Sequence, residues 1–130
     1  MTEGIHHVAL TVSDLDLSQA WYQEVFGLEV QFEERGEDRN AVVLRTGTTV
    51  IGLVEHAASH SSSPFDPATI GLDHVAFNAV SRPQLETLAQ HLADLGIDTS
   101  GVIDIPVGAI LNFKDPDGIA LSWFWDRPEP

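Results

Sequence analysis

Ile5-His-His-Val-Ala-Leu-Thr-Val12 and Leu72-Asp-His-Val-Ala-Phe-Asn-Ala79 decide the fold, because the second repeats the first at a shift of 67 residues, from His7 to His74. Both alternate as half-buried strands do. Val8, Leu10 and Val12 lie on one face against His7, Ala9 and Thr11; Val75 and Phe77 lie against His74, Ala76 and Asn78. The same shift pairs Val25 with Leu92 in the helical stretches that follow. Self-similarity at this scale means two copies of one structural unit that share a surface.

Outward from these strands, the two halves follow one plan. Asp14 or Asp16 is placed to cap a helix that runs to about Phe26, turns Leu17, Ala20, Trp21, Val25 and Leu28 to the core, and stops at Gly27. Strands are expected at Leu28 to Glu34, Ala41 to Arg45 and Thr49 to Glu55. In the second half, Leu85, Leu88, Ala89, Leu92 and Leu95 recur at helical spacing and Gly96 ends the helix. Strands at Val102 to Ile105, Ala109 to Phe113 and Ile119 to Trp125 complete it, with Asp115-Pro-Asp-Gly118 as a turn between the last two. The expectation is an α+β domain of two tandem βαβββ modules, about 4–56 and 72–126. A Ser-, Pro- and Ala-rich connection of about 57–71 joins them, and their curved mixed sheet surrounds a cleft that both histidines face.

Composition narrows the function. At 130 residues and 43% hydrophobic, the chain suits one domain with a substantial core. It has no cysteine, which excludes disulfides, thiolate metal sites and cysteine nucleophiles and fits a reducing compartment. The opening residues lack the basic, then apolar, pattern of a signal peptide, and no apolar run approaches the ~18 residues of a membrane span. A cytoplasmic protein without membrane partners is expected. The net charge of −14 repels phosphate backbones, which disfavours nucleic acid, and attracts cationic ligands. Nucleotide loops, serine-nucleophile elbows and zinc-helix motifs are absent from the sequence.

The run His7-Val-Ala-Leu-Thr-Val-Ser-Asp14, with Ala20-Trp-Tyr-Gln-Glu-Val-Phe-Gly-Leu28, Gly71-Leu-Asp-His-Val-Ala-Phe77 and Asp115-Pro-Asp-Gly118, resembles the vicinal oxygen chelate superfamily. That is the family of glyoxalase I, extradiol dioxygenases, fosfomycin-resistance enzymes and bleomycin-resistance proteins. The resemblance spans essentially the whole chain. It implies a homodimer, a small-molecule ligand, and a divalent metal in the cup. In the glyoxalase-like pattern each half supplies a first-strand histidine and a last-strand glutamate. His7 and His74 match the histidines, whereas the glutamate positions fall on Gly52 and Ser122.

A third metal ligand is expected from His56, since alternation sets Gly52, Val54 and His56 on one face. His7, His56 and His74 with water would suit Zn, Fe, Ni or Mn. Glu55 points the other way unless a bulge swings it inward. His6 falls on the face opposite His7, His60 stands four residues beyond His56 in a stretch that does not read as helix, and His91 lies on the exposed side of its helix. The substrate cleft is expected from Ala9, Thr11, Gly52, Val54, Ala76, Asn78, Ala120, Ser122 and Phe124, with Leu121, Trp123 and Trp125 packed beneath the helices.

Two functions follow. One is a metal-dependent lyase, isomerase or dioxygenase whose Lewis-acid ion polarises adjacent oxygens of a small substrate. The other is a non-catalytic sequestering protein of bleomycin-resistance type, in which His7 and His74 line a cavity.

Overall fold

Asp14 sits in extended backbone and accepts a hydrogen bond from Leu17 N at 3.1 Å, which starts the first helix. A second free amide at the same end, Leu15 N, donates to Glu55 Oε2 at 2.8 Å. A helix leaves its first amides without internal partners, so these two carboxylates fix where it begins. Asp14→Ala should therefore lower stability by about 1 kcal/mol, read as a lower urea midpoint at unchanged slope.

The computed structural model describes residues 1–58 and 63–129; His60 lies outside them. The chain forms two compact units, Met1–Ser63 and Pro64–Pro130. In the first, β1 (Val8–Thr11), α1 (Leu15–Phe26), β2 (Glu29–Arg35), β3 (Arg39–Thr46) and β4 (Thr49–His56) build a four-stranded sheet ordered β1-β4-β3-β2. β1 runs parallel to β4 and the other neighbours are antiparallel. In the second, β5 (Val75–Asn78), α2 (Arg82–Asp94), β6 (Thr99–Ile105), β7 (Gly108–Lys114) and β8 (Ala120–Asp126) repeat that order as β5-β8-β7-β6, with β5 parallel to β8. Each unit is thus a βαβββ module with a mixed sheet.

The buried stripe of α1 is Leu15, Ser18, Tyr22 and Val25, at helical spacing. This corrects the expected face: Leu17 is 54% exposed and Ala20 is exposed. Capping by Asp14 makes Leu15 the first helical residue and sets the phase, and small Ser18 fits under the helix. Tyr22 is fully buried and stacks on Phe26 at 5.7 Å between ring centroids. β1 is also shorter than the alternating run, because its ladder with β4 extends only from Val8 opposite Ile51 to Thr11 opposite Val54.

In the second unit Ser81 caps α2, accepting from Gln84 N at 3.1 Å. Gly96, at φ 74°, ends it: Gly96 N donates to Ala93 O and Ile97 N to Leu92 O, the paired bonds of a Schellman turn. Leu85 and Leu92 are fully buried, and His91 is half-buried rather than exposed. Arg82 bonds Asp104 on β6 at 2.8 Å and Glu86 at 2.9 Å, tying α2 to the sheet edge. Those guanidinium hydrogen bonds hold the Asp104 carboxyl below the usual carboxylate range. Asp115 is architectural, as expected. Its Oδ1 accepts from Asp117 N and Ile119 N, and its carbonyl from Gly118 N, closing the turn into β8. Trp123 is buried and stacks on Phe113 at 5.0 Å, a packing role.

Candidate active site

Glu55 identifies the two faces of the first sheet. Its carboxylate reaches the start of α1, so Glu55, with the buried Ile51 and Leu53 of the same parity, faces the helix. Gly52, Val54 and His56 consequently lie on the opposite face. No bulge interrupts β3 against β4, so nothing swings Glu55 across. Register then sets Ala9, Gly52 and Val43 in one row and Thr11, Val54 and Ala41 in the next. Phe32 of β2 extends the first row, opposite Val43.

Asp104 does the same for the second sheet. Bound to Arg82 of α2 and paired with Ala109, it marks Ala109, Leu111 and Phe113 as the helix side. On the other side Ala76, Ser122 and Asn112 form one row, and Asn78, Phe124 and Ile110 the next, with Ala120 beside them. The expected cleft residues therefore gather, within each unit, on the face turned away from its helix. Val43, Ala41, Phe32, Asn112 and Ile110 complete these faces. They were missed in the sequence because their placement depends on hairpin register; alternation in β3 and β7 was the available signal.

The two sheet faces, each within its own unit, match in detail. Gly52 stands beside Ala9, two residues beyond His7; Ser122 stands beside Ala76, two residues beyond His74. A Cβ on Gly52 would meet Ala9 Cβ at 3.3 Å. Ser122 is 1% exposed, and its Oγ has no hydrogen-bond partner among the described residues. A buried hydroxyl in that state costs about 1–3 kcal/mol relative to a satisfied one.

The histidines are arranged differently from the expectation. Val8 pairs with Ile51, so His7 is level with Val50, while His56 lies six residues further along β4. At about 3.3 Å per residue the two are separated by roughly 20 Å along the strands. His56 instead stands opposite Arg39 at the far end of the sheet, exposed. One ion cannot take both His7 and His56. His6 and His7 precede β1, outside the alternation, and their Nδ1 atoms are 2.8 Å apart. His74 Nδ1 is 2.7 Å from Asp73 Oδ1, which leaves Nε2 as its outward nitrogen.

Among the described residues no group of three or more His, Asp or Glu side chains is arranged to hold a metal ion. With glycine and serine at the two carboxylate positions, the residues present do not fit the four-ligand metal centre that the resemblance implies. No helix among the described residues is long and apolar enough to cross a membrane.

The comparisons agree with this architecture. A domain described as a glyoxylase/bleomycin resistance protein/dioxygenase domain from Frankia sp. EAN1pec superposes with a TM-score of 0.92 at 33% identity, covering 100% of this chain and 96% of that one. An uncharacterized protein of Bacillus subtilis, YwkD, is 30% identical over 129 residues, 95% of this chain and 98% of its own length. A catechol-2,3-dioxygenase of the same organism is also 30% identical over 95% of this chain, which spans only 42% of that enzyme. The family model of the Glyoxalase/Bleomycin resistance protein/Dioxygenase superfamily matches residues 4–122, from ahead of β1 into β8. The chain belongs to that superfamily.

Proposed function

We propose that this chain is a small-molecule-binding member of the superfamily, of the sequestering kind, which takes its ligand on the open strand faces without a glyoxalase-type metal centre. The observation that carries this reading is the matched pair of small floors, Ala9 beside Gly52 and Ala76 beside Ser122, where the family pattern has carboxylates. Glycine and serine there remove both charged ligand side chains and leave a neutral, closely packed floor. The Ser122 hydroxyl adds a polar group in need of a partner. The charge of −14 supports a cationic ligand, because a strongly acidic surface raises the local concentration of positive solutes. As in the expectation from the resemblance, we take the chain to be a homodimer, which light scattering after gel filtration tests.

A metal-dependent lyase, isomerase or dioxygenase is the second reading, and the Asp73–His74 pair favours it. A carboxylate on Nδ1 is the usual means of orienting a metal-bound imidazole. Two measurements separate the readings. Elemental analysis is made on wild type, His7→Ala and His74→Ala after expression in mixed-metal medium. Calorimetric binding of a cationic glycopeptide antibiotic is then measured with and without EDTA. The sequestering reading expects stoichiometric binding that EDTA leaves unchanged and less than about a tenth of an equivalent of metal. Near-stoichiometric metal in wild type, lost in His74→Ala, would overturn it in favour of the enzyme.

A further inference from the structure

Two basic side chains stand at the same register position of the two sheets. On β3 Arg45 pairs with Val50, two residues from the Val43–Gly52 pair; on β7 Lys114 pairs with Ala120, two residues from the Asn112–Ser122 pair. No bulge breaks either ladder, so Arg45 shares the face of Val43 and Lys114 that of Asn112, in each unit the face turned away from the helix. Two residues of strand span about 7 Å. That is within the reach of an arginine or lysine side chain, so each base can set its charge over the floor of its own sheet.

The other bases are occupied. The chain has only 6 Lys and Arg against 20 acids. Arg35 bonds Asp16 at 3.1 Å, Arg39 stands 3.8 Å from Glu34, and Arg82 is held by Asp104 and Glu86. The Arg127 guanidinium lies over the Trp125 ring, 5.5 Å from its centroid. Arg45 and Lys114 are exposed and have no ion pair among the described residues. In so acidic a chain an unpaired base is the exception, and these two exceptions fall on the faces that carry Gly52 and Ser122.

A base held over a neutral floor recognises an anion. One base per sheet supplies a single positive charge, and the net −14 opposes a multiply charged ligand, which selects a carboxylate over a phosphate. The guanidinium fork of Arg45 matches a carboxylate with two bonds, and the exposed Asn112 carboxamide adds a neutral donor beside the Lys114 ammonium. We propose that Arg45 and Lys114 are carboxylate-binding positions, and that the ligand of these faces is a zwitterion of the amino-acid or short-peptide class. The acidic surface draws its ammonium group, and one of the two bases holds its carboxylate. The inference rests on the small-molecule-binding reading above and adds the ligand's second charge.

The probes are phenylalanine and phenylalaninamide, which share a ring and an ammonium and differ in the carboxylate, with inorganic phosphate as a third. Backbone amide shifts of the ¹⁵N-labelled full chain follow binding at each sheet, at low salt and mildly acidic pH, where both organic probes keep their ammonium charge. Net charge alone favours the amide, a cation, over the zwitterion. Carboxylate recognition reverses that order: phenylalanine should bind about three- to fivefold more tightly, as an exposed ion pair allows, with saturable shifts centred on Val43 to Arg45 and Asn112 to Lys114. Arg45→Gln should abolish the preference at the first sheet and Lys114→Gln at the second. Arg35→Gln makes the same change of charge at a base occupied by Asp16 and should leave both. The three altered residues are exposed, and thermal unfolding of each variant confirms that the fold is kept. Phenylalaninamide binding as tightly as phenylalanine, a preference that survives either face substitution, an equal loss in Arg35→Gln, tighter binding of phosphate, or no saturable shifts in wild type would each overturn the proposal. Antibiotic binding without any carboxylate preference would overturn this inference alone, whereas near-stoichiometric metal overturns the reading beneath it.

Discussion

Gly108→Ala is expected to lower stability by about 3 kcal/mol, the upper end of the range for overpacked positions, and Tm by roughly 10 °C. A Cβ there would fall on the Trp125 carbonyl oxygen and lie 3.0 Å from the carbonyl carbon and 3.3 Å from Arg127 N. All three atoms are backbone. They belong to the end of the β7–β8 ladder, where Gly108 pairs with Asp126 and Arg127 N donates to Val107 O at 2.8 Å. No flexible side chain is available to yield, so the ladder itself must open. Gly52→Ala provides the contrast within the same fold. Its Cβ meets one methyl group at 3.3 Å, a few tenths of an ångström of adjustment, so its effect should stay within about 1 kcal/mol. Urea unfolding of the two variants side by side measures the difference.

The fold was readable because the repeat supplied it twice. Each half carries its own turn and capping residues: Gly27 and Gly96 end the helices at positive φ, and Asp115 with Gly118 makes the turn before β8. Such signals act over a few residues, so the sequence contains them in full. Helix phase was less readable. Asp14 and Asp16 are both suitable caps, and choosing between them turns the helix; the deciding contact, Glu55 to Leu15 N, spans 40 residues. β6 likewise begins at Thr99, three residues earlier than alternation implies. A bulge breaks the alternation between Thr99 and Val102, and Ser100 Oγ accepts from Asn112 N within it.

The candidate site divides along the same line. Strand alternation assigned Ala9, Thr11, Gly52, Val54, Ala76, Asn78 and Ser122 to their faces, because facing is a property of one strand. Distance along a sheet is a property of register between strands. His56 shares a face with Gly52, yet the parallel register of β1 and β4 sets it roughly 20 Å from His7. His6 failed in the opposite sense. Alternation was extended past the first ladder bond at Val8, into residues where it no longer holds.

Ser122→Glu should produce the other large effect, and it tests the second sheet's face as a physical object. Serine at this position is 1% exposed, so a glutamate must either bury its charge or displace what covers it. An uncompensated buried carboxylate costs about 3–5 kcal/mol. The loss should shrink as pH falls, since burial raises the pKa of the carboxyl in the folded state and the neutral acid enters more cheaply. A cation offers the alternative. His74 is level with Ala120, two residues before Ser122 and one strand across, with Nδ1 on Asp73 and Nε2 directed away. The added carboxylate and this imidazole should together bind Zn(II). At a hundred times its dissociation constant the ion should return about 2.7 kcal/mol of the lost stability. His74→Ala in the same background should abolish that recovery while leaving the loss itself in place. Zinc recovery that persists without His74 would mean that the carboxylate finds its partner elsewhere. The register of β5 on β8 would then not define a binding position, and Ser122 would be only a buried hydroxyl.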